Sequence, residues 1–296
     1  MAGTGIDPEV LRAERERLGA AVDALSSVYV IFGDPIAHVR APVVWSALFR
    51  RHGVNAVFLP AHVAPEGLDA AIEGMKAWSN LGGLMFTMPH KAAALRHCDE
   101  LSARAQRVGS INLMRRAPDG RWLGDNVDGA GFIAGLKADG VALAGACVHV
   151  HGAGGVGQNI AWSLSDESLA HLTIFDVDTQ RTADLAARIR AQTGCDAAAG
   201  LPSDWGVCTL AINATPLGLS PADPMPFAVD ALPSHAWVAD VIMEPMHTAL
   251  LRAAQARGLH THHGRNLMNF AMPLAARFYG LPGTVDWNGA PLQSPR

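Results

Sequence analysis

One glycine-rich segment, HVHGAGGVG at residues 149–157, limits the folds open to this chain more than any other feature. The apolar residues within and before it predict a short buried strand, and Gly152, Gly154 and Gly157 follow at the G-x-G-x-x-G spacing of a dinucleotide-binding turn. These glycines allow a tight turn, a close approach of the backbone to a pyrophosphate, and close packing of the next helix. That helix directs its first amide groups at the phosphates. The segment therefore predicts a nucleotide-binding strand–turn–helix unit.

A second apolar strand, LTIF at residues 172–175, ends at Asp176. This acid lies about 20 residues beyond the last glycine, which is the offset of a carboxylate that binds the adenosine ribose. A carboxylate accepts hydrogen bonds from a free 2′-hydroxyl and repels a 2′-phosphate, so the sequence favours NAD over NADP as cofactor. Asp178 is interpreted instead as the N-cap of the next helix. The alternative, a turn that only connects a strand to a helix, is disfavoured by the complete order of elements.

Composition indicates a globular protein that is long enough for two domains, with 296 residues of which 49% are hydrophobic and 17% charged. The net charge of −4 and the absence of a basic run argue against a nucleic-acid partner. No apolar stretch approaches the roughly 20 residues of a membrane span, and the N-terminus lacks the apolar core of a signal peptide. We therefore expect a cytoplasmic protein with a small-molecule substrate, no nucleic acid and no membrane partner.

Cysteine and histidine spacing gives no indication of a metal site. The four cysteines are scattered, without the spacing of metal ligands or of a disulfide framework. His260, His262 and His263 cluster in LHTHHG, but no cysteine or carboxylate stands at a familiar ligand spacing from them. We interpret the cluster as the polar end of a strand and expect no metal.

Alternating strand and helix patterns run on both sides of the glycine-rich unit, which predicts an α/β fold with two domains and a ligand cleft between them. Outside that unit, the predicted strands are 28–32, 56–59, 81–88, 111–115, 209–213 and 237–242. The predicted helices are 41–51, 67–78, 92–97, 129–138, 182–193, 248–257 and 267–281.

Three polar segments stand at the ends of these elements: FTMPHK at 86–91, GSIN at 109–112 and GDNVDG at 124–129. Lys91 and Asp128 suit a general acid/base pair, because a lysine against a carboxylate in a dehydrated cleft can hold, donate and recover a proton. Taken alone, Lys91 is more readily interpreted as an exposed lysine at the start of a helix, since most lysines are exposed.

Seven ordered segments resemble the shikimate dehydrogenase family, from about residue 28 to residue 280. They are GDPIAH at 33–38, FTMPHK, VGSIN at 108–112, GDNVDGAGF at 124–132, GAGGVG at 152–157, NATPLGL at 213–219 and the tail after Gly264. The resemblance implies an N-terminal α/β substrate domain, a Rossmann dinucleotide-binding domain, and a C-terminal helix that returns to the first domain. The corresponding ranges are 28–126 completed by 263–296 for the substrate domain and 127–262 for the Rossmann domain, after an N-terminal helical extension at 1–27.

The resemblance also implies reversible hydride transfer between a ring carbinol and a nicotinamide. Lys91 and Asp128 match the catalytic pair of the family, and Thr87 and Asn112 match residues that hold the ring hydroxyls of the substrate. The positions that match nucleotide contacts are Gly152, Ala153, Gly154, Gly155, Val156, Gly157, Thr215, Val241 and Gly264.

The sequence departs from the family on the substrate side. The family motif H-S-x-S-P, whose serines bind the substrate carboxylate, corresponds here to 38–42, with Val39 and Ala41 in place of the serines. Three more polar residues of the family, Asn, Tyr and Gln, are replaced by Met85, Met243 and Ala271. Each lost partner costs about 1–3 kcal/mol. Shikimate is therefore expected to bind poorly unless an arginine, Arg40 or Arg265, pairs with its carboxylate, and the pocket favours a less polar or differently decorated ring.

Two functions remain open. The first is an NAD-dependent alcohol dehydrogenase, acting as a monomer or homodimer on quinate, shikimate or a less polar cyclic analogue. Asp176-Val177-Asp178 replaces the Asn-Arg-Thr run of NADP-using members, which resembles the NAD-preferring quinate/shikimate branch. The second is a non-catalytic protein that senses NAD or a metabolite on the same fold. A sensor would not need the pair of Lys91 and Asp128.

Overall fold

The computed structural model describes residues 22–37 and 39–282. Most of the predicted helical extension at 1–27 therefore lies outside the described residues, as does His38. Two six-stranded sheets form the body of the protein. The domain ranges 28–126, 127–262 and 263–296 stay predictions.

The first sheet is mixed and has the strand order β2-β1-β3-β5-β6-β4. Its strands are β1 Ser27–Gly33, β2 Ala56–His62, β3 Leu81–Phe86, β4 Glu100–Leu101, β5 Leu113–Arg116 and β6 Trp122–Asp125. The helices of this half are α1 Ala41–Arg51, α2 Leu68–Lys76 and α3 Ala103–Val108. In α1, Val44, Trp45, Leu48 and Phe49 are buried, at the spacing that places apolar residues on one helical face. This face of α1 packs on the first sheet, against side chains of β1 and β2.

The second sheet has the strand order β12-β11-β10-β7-β8-β9, with every pair parallel. Its strands are β7 Cys147–His151, β8 His171–Phe175, β9 Ala197–Ala199, β10 Leu210–Asn213, β11 Trp237–Asp240 and β12 His260–His262. The accompanying helices are α4 Asp128–Ala138, α5 Gly155–Ser165, α6 Thr179–Thr193, α7 Ala249–Ala256 and α8 Arg265–Phe278. The chain leaves β7 towards β8 and later returns on its other side as β10. The carboxyl ends of β7 and β10 therefore flank the crevice where doubly wound sheets bind ligands.

The last helix, α8, links the two halves. It packs against α4 closely enough that a Cβ on Gly131 would lie 2.7 Å from the Cβ of Ala271. Further along α8, Met272, Ala275 and Tyr279 (which follows the last helical turn) join the apolar core of the first sheet. The Tyr279 hydroxyl donates to the carbonyl of Leu84 in β3 at 2.9 Å. The C-terminal helix thus returns to the first sheet, as the resemblance implies.

Several element boundaries differ from the prediction. The strand predicted at 81–88 ends at Phe86, because Pro89 has no N–H for a sheet ladder and the chain turns before it. The helix predicted at 92–97 is a short 3₁₀ turn at Ala93–His97. The predicted last helix at 267–281 is the α-helix α8, which begins and ends earlier. None of the helices in the described ranges combines the length and apolarity needed to span a membrane.

Candidate active site

Three polar segments meet at one point between the two sheets, around the side chain of Asp128. Lys91 Nζ donates to Asp128 Oδ2 at 2.6 Å, and Asn112 Nδ2 donates to Asp128 Oδ1 at 2.6 Å. The Lys91 and Asp128 side chains are 18% and 11% exposed. Asp128 is the first residue of α4, where the helix dipole favours a negative charge. The predicted pair is therefore in contact, largely shielded from solvent, and both carboxylate oxygens have a partner.

A second layer of hydrogen bonds holds this pair in place. Asn112 Oδ1 accepts from the backbone N–H of Val127 at 3.1 Å, so the amide is fixed at both ends. Asn126 donates to the Ser110 hydroxyl at 3.0 Å, and its Oδ1 accepts from the backbone N–H of Asp128 at 3.3 Å. All five residues lie in the polar segments 109–112 and 124–129. Buried polar groups satisfied in this way fix the geometry of the carboxylate.

Most of the predicted substrate-contact residues are apolar and lie beside the apolar core of the first sheet. Val39, Ala41 and Met85 are partly buried against the core that contains Ala271. Ala271 itself is 8% exposed, since its helix packs against Gly131. Thr87 follows β3, and its backbone N–H donates to the carbonyl of Phe32 at 2.9 Å. Met243 follows β11, and its carbonyl accepts from Arg265 Nε at 3.3 Å. These substrate contacts stay predictions.

The two arginines expected as possible carboxylate partners share an acid of the protein itself. Arg40 and Arg265 both donate to Oε1 of Glu244. Glu244 lies after β11, in the half that carries the second sheet, whereas Arg40 precedes α1. Sequence reasoning missed Glu244, because a single acid in a loop carries no signal of a partner about 200 positions away. The Glu244 carboxylate offsets one of the two positive charges, which leaves less positive charge for a substrate carboxylate.

The glycine-rich turn leaves space where a dinucleotide would approach it. Gly152 has a φ of 110°, a region that favours glycine. A Cβ on Gly157 would lie 1.9 Å from the Gly152 carbonyl oxygen, so only glycine fits there. By contrast, a Cβ on Gly154 or Gly155 would meet no other atom within 4 Å. The backbone at the start of α5 is therefore open and leaves room for a pyrophosphate, and the nucleotide contacts of residues 152–157 stay predictions.

The remaining predicted nucleotide contacts lie at the carboxyl ends of β10 and β11. Thr215 donates its hydroxyl to Asn213 Oδ1 at 2.7 Å, which fixes the loop after β10. A Cβ on Gly264 would lie 2.4 Å from the backbone of Val241, so the two chain segments approach closely. Both loops border the same crevice as the glycine-rich turn. Their contacts with a nucleotide stay predictions.

Asp176 has a structural role in the glycine-rich turn. Its Oδ2 accepts from the N–H of Ala153 at 2.7 Å, and its Oδ1 accepts from the N–H of Asp178 at 3.0 Å. Burial raises the pKa of Asp176, but these backbone hydrogen bonds outweigh it, so the pKa lies below its ordinary value. Asp178 accepts from the N–H of Arg181 at 3.0 Å, which confirms it as the N-cap of α6. Arg181 Nη1 lies 3.8 Å from Asp176.

Within residues 22–37 and 39–282, no group of three or more His, Cys, Asp or Glu side chains is arranged to hold a metal ion. The buried His262 instead pairs through Nδ1 with Asp139 Oδ2 at 2.7 Å.

Comparison with known proteins gives consistent matches. The family model described as the shikimate dehydrogenase substrate binding domain matches residues 31–114. The shikimate dehydrogenase (NADP(+)) of Symbiobacterium thermophilum is 35% identical over 267 residues, which cover 86% of this chain and 90% of that protein. The enzyme of the same name from Rubrobacter xylanophilus is 34% identical, with 90% and 93% covered. A crystal structure of 5-ketofructose reductase of Gluconobacter sp. strain CHM43 has a TM-score of 0.80 at 30% identity, covering 86% of this chain and 92% of that one.

These relatives overturn the preference for NAD. Both are named for NADP(+), so the prediction of NAD from Asp176 is wrong. The structure supplies a physical reason. The Asp176 carboxylate accepts hydrogen bonds from backbone amides of the turn and lies near the Arg181 guanidinium. An acid at this position therefore stabilises the loop and does not need to hydrogen-bond the ribose hydroxyls.

The α/β fold combines a mixed sheet with a parallel Rossmann sheet and its glycine-rich turn. Its relatives are 34–35% identical over most of both chains. This chain belongs to the shikimate dehydrogenase family of oxidoreductases.

Proposed function

We propose that this chain is an NADP(H)-dependent dehydrogenase that interconverts a hydroxyl and a carbonyl group of a cyclic polyhydroxy substrate. The observation that carries the proposal is the contact of 2.6 Å between Lys91 Nζ and Asp128 Oδ2, held by Asn112. A non-catalytic sensor would have no use for this shielded pair, in which both carboxylate oxygens of Asp128 are hydrogen-bonded.

In the oxidation direction, Lys91 with Nζ as the free amine would take the proton of the substrate hydroxyl as the carbinol carbon loses its hydride, and Asp128 would balance the charge of the ammonium group so formed. In the reduction direction, the same nitrogen returns the proton to the oxygen of the carbonyl. When bound, NADP(H) supplies the hydride acceptor or donor. Asp128 orients the Lys91 side chain and balances its positive charge, and Asn112 keeps the carboxylate from rotating. Positioned general acids and bases of this kind contribute about 10²–10⁴-fold to a rate.

The proposal of NADP(H) has support at the adenosine end of the crevice. Arg181 lies in the first turn of α6, where its Nη2 is 2.9 Å from Asp178 Oδ2 and its Nη1 is 3.8 Å from Asp176 Oδ1, and its side chain is 44% exposed. A guanidinium binds a phosphate with paired hydrogen bonds. Arg181 is therefore the cation that we assign to the 2′-phosphate, while Gly154 and Gly155 leave room for the pyrophosphate.

For the substrate, we propose a ring without an essential carboxylate. Val39 and Ala41 offer no hydroxyl to an anion, and the Glu244 carboxylate offsets one of the two positive charges of Arg40 and Arg265. A neutral polyhydroxy ring can still bind through its hydroxyls to Asn112 and Thr87. The likeness to 5-ketofructose reductase, whose name denotes a neutral keto sugar as substrate, supports the same class.

The test is a set of initial rates, followed by the absorbance of NADPH. Shikimate and quinate are compared with a neutral cyclohexane polyol, in the oxidation direction, and with 5-ketofructose in the reduction direction. We expect turnover with NADP(H) and the highest kcat/KM for a neutral compound. Preference for shikimate or quinate would refute the proposed substrate class. Binding of NADP⁺ without turnover of any compound would refute the proposed activity and favour the sensor.

A further inference from the structure

Two buried histidines occupy the central strand of the second sheet. His149 and His151 alternate with Val148 and Val150 on β7, so both imidazoles lie on the same face of the sheet. They are 0% and 8% exposed. Strands buried on both faces of a parallel sheet ordinarily consist of apolar residues. Two ionisable side chains at these positions are not needed for the fold and call for a functional reason.

A chain of hydrogen bonds sets the orientation of the second histidine. The Thr173 hydroxyl lies 3.4 Å from the Val148 carbonyl, to which it donates, and 2.9 Å from His149 Nδ1, from which it accepts. His149 Nε2 is then free to accept from His151 Nδ1, at 3.3 Å. Burial lowers the pKa of His149 to about 3, so this ring stays neutral. The nitrogen of His151 that can gain or lose a proton is therefore Nε2.

His151 is the last residue of β7, directly before Gly152 of the nucleotide turn. It pairs in register with Phe175, the residue before Asp176. Its ring lies 4.7 Å from the ring of Phe175 and 5.8 Å from that of Phe227. Burial holds the pKa of His151 below its ordinary value, although the negative charge of Asp176 raises it in part.

The groups that face His151 are few. From β7 it faces the neutral His149, and from the end of β8 it faces the Asp176 carboxylate. Phe175 and Phe227 contribute aromatic rings, and Trp205 packs on His149. An acid that by itself repels a 2′-phosphate therefore stands beside a base that can offset its charge.

We propose that His151 is a specificity-determining residue for NADP(H), which takes up a proton on Nε2 when the 2′-phosphate binds and thereby offsets the charge of Asp176. This inference rests on the proposed use of NADP(H). The proton comes from solvent. The bound phosphate adds negative charge near the imidazole, which stabilises the charged form. Below the raised pKa of the complex, the positive charge of His151 adds to that of Arg181, and the preference for NADP⁺ over NAD⁺ increases as pH falls.

The test measures binding rather than turnover. Titration calorimetry of NADP⁺ and NAD⁺, in buffers of different ionisation enthalpy between about pH 6 and 8, reports the protons taken up. We expect proton uptake with NADP⁺ in the wild-type protein and its loss in His151→Gln, which keeps an N–H for His149 but cannot become charged. A shift of about one pKa unit in the complex corresponds to an up to tenfold change in the NADP⁺/NAD⁺ affinity ratio. The 2′-phosphate itself titrates near pH 6, so the relevant quantity is the difference between wild type and variant.

The matched control is His171→Gln. His171 stands at the opposite end of the same sheet, where it is paired with Asp196 and half-exposed, so its replacement is expected to leave proton uptake unchanged. Equal uptake in wild type and His151→Gln would overturn the inference. Should that variant not fold, uptake by the wild-type protein that is no greater with NADP⁺ than with NAD⁺ would overturn it as well. Failure of the wild-type protein to bind NADP⁺ would overturn the proposed function and this inference together.

Discussion

The two sides of the cleft differ sharply in polarity. On the proton-transfer side, Asp128 accepts hydrogen bonds at both oxygens, and Asn112 and Asn126 are bonded at both ends of their amides. On the substrate side, Val39, Ala41 and Met85 pack against an apolar core. The comparison teaches that the groups for proton transfer and the groups for substrate recognition are separable. From the family resemblance, we predict that this chain retains the proton-transfer set and has an altered substrate-recognition set.

The largest effect on activity is expected from a substitution on the proton-transfer side of the cleft. Lys91→Met removes the proton carrier and leaves Asp128 with one partner, so we expect kcat to fall by about 10²–10⁴-fold. The affinity for NADP⁺, measured by titration without substrate, should stay unchanged because Lys91 is not part of the nucleotide turn. The control is Lys137→Met, a half-exposed lysine paired with Glu167. A variant of Lys91 with more than a tenth of the wild-type kcat would contradict the proposed role.

On the substrate side of the cleft, restoring polar groups is expected to increase activity with shikimate. The double variant Val39→Ser/Ala41→Ser adds two hydroxyls where the family binds a carboxylate. Each regained hydrogen bond contributes about 1–3 kcal/mol, so each added hydroxyl is expected to raise kcat/KM for shikimate about 5- to 150-fold. The kcat/KM for a neutral substrate serves as the internal reference. An equal change for both substrates would show that carboxylate recognition lies elsewhere.

A smaller effect is expected at the nucleotide end. Arg181→Ala removes a half-exposed guanidinium, and solvent limits its contribution to about 1 kcal/mol. We expect the Kd for NADP⁺ to rise about fivefold and the Kd for NAD⁺ to stay the same. Arg188→Ala, on the same helix but bonded to the carbonyl of Arg107, is the control. An unchanged Kd for NADP⁺ would remove Arg181 from the phosphate site.

The smallest effect concerns the ion pairs of Glu244. Because Glu244 is 51% exposed and Arg40 is 36% exposed, Glu244→Gln should lower the free energy of unfolding by less than about 1 kcal/mol. Denaturant titration measures this change. The same variant frees Arg40 and Arg265, so kcat/KM for shikimate should rise while that for a neutral ring does not. A loss of stability of several kcal/mol would mean that the pairs hold the two halves together.

The sequence predicted the elements that depend on local pattern. The glycine spacing, the strand that ends at Asp176 and the cap at Asp178 were all found, because turn geometry and capping are encoded within a few residues. The pair of Lys91 and Asp128 was suggested by their chemistry and favoured over an exposed lysine by the resemblance to a family. Features that join distant segments were missed, and the pairing of Arg40 with Glu244 is one of them.

The role of Asp176 shows a second limit. Its position after the second strand suggested a ribose contact, but the structure engages both oxygens with backbone amides. A sequence gives the position of a carboxylate and not the direction of its lone pairs. In the same way, alternation along β7 places His149 and His151 on one face of the sheet. That Thr173 lies beside His149 and Asp176 lies near His151 is seen only in the structure.

The return of α8 has a consequence for how the protein is made. Met272, Ala275 and Tyr279 belong to the same core as Tyr29 and Trp45. The half that is synthesised first therefore lacks part of its apolar core until the end of the chain is made. Domains ordinarily fold as units during synthesis, N-terminal ones first. Here the core of the first sheet is complete only once α8 has been translated, after the whole second sheet. The second sheet, although made later, can complete its own strands first.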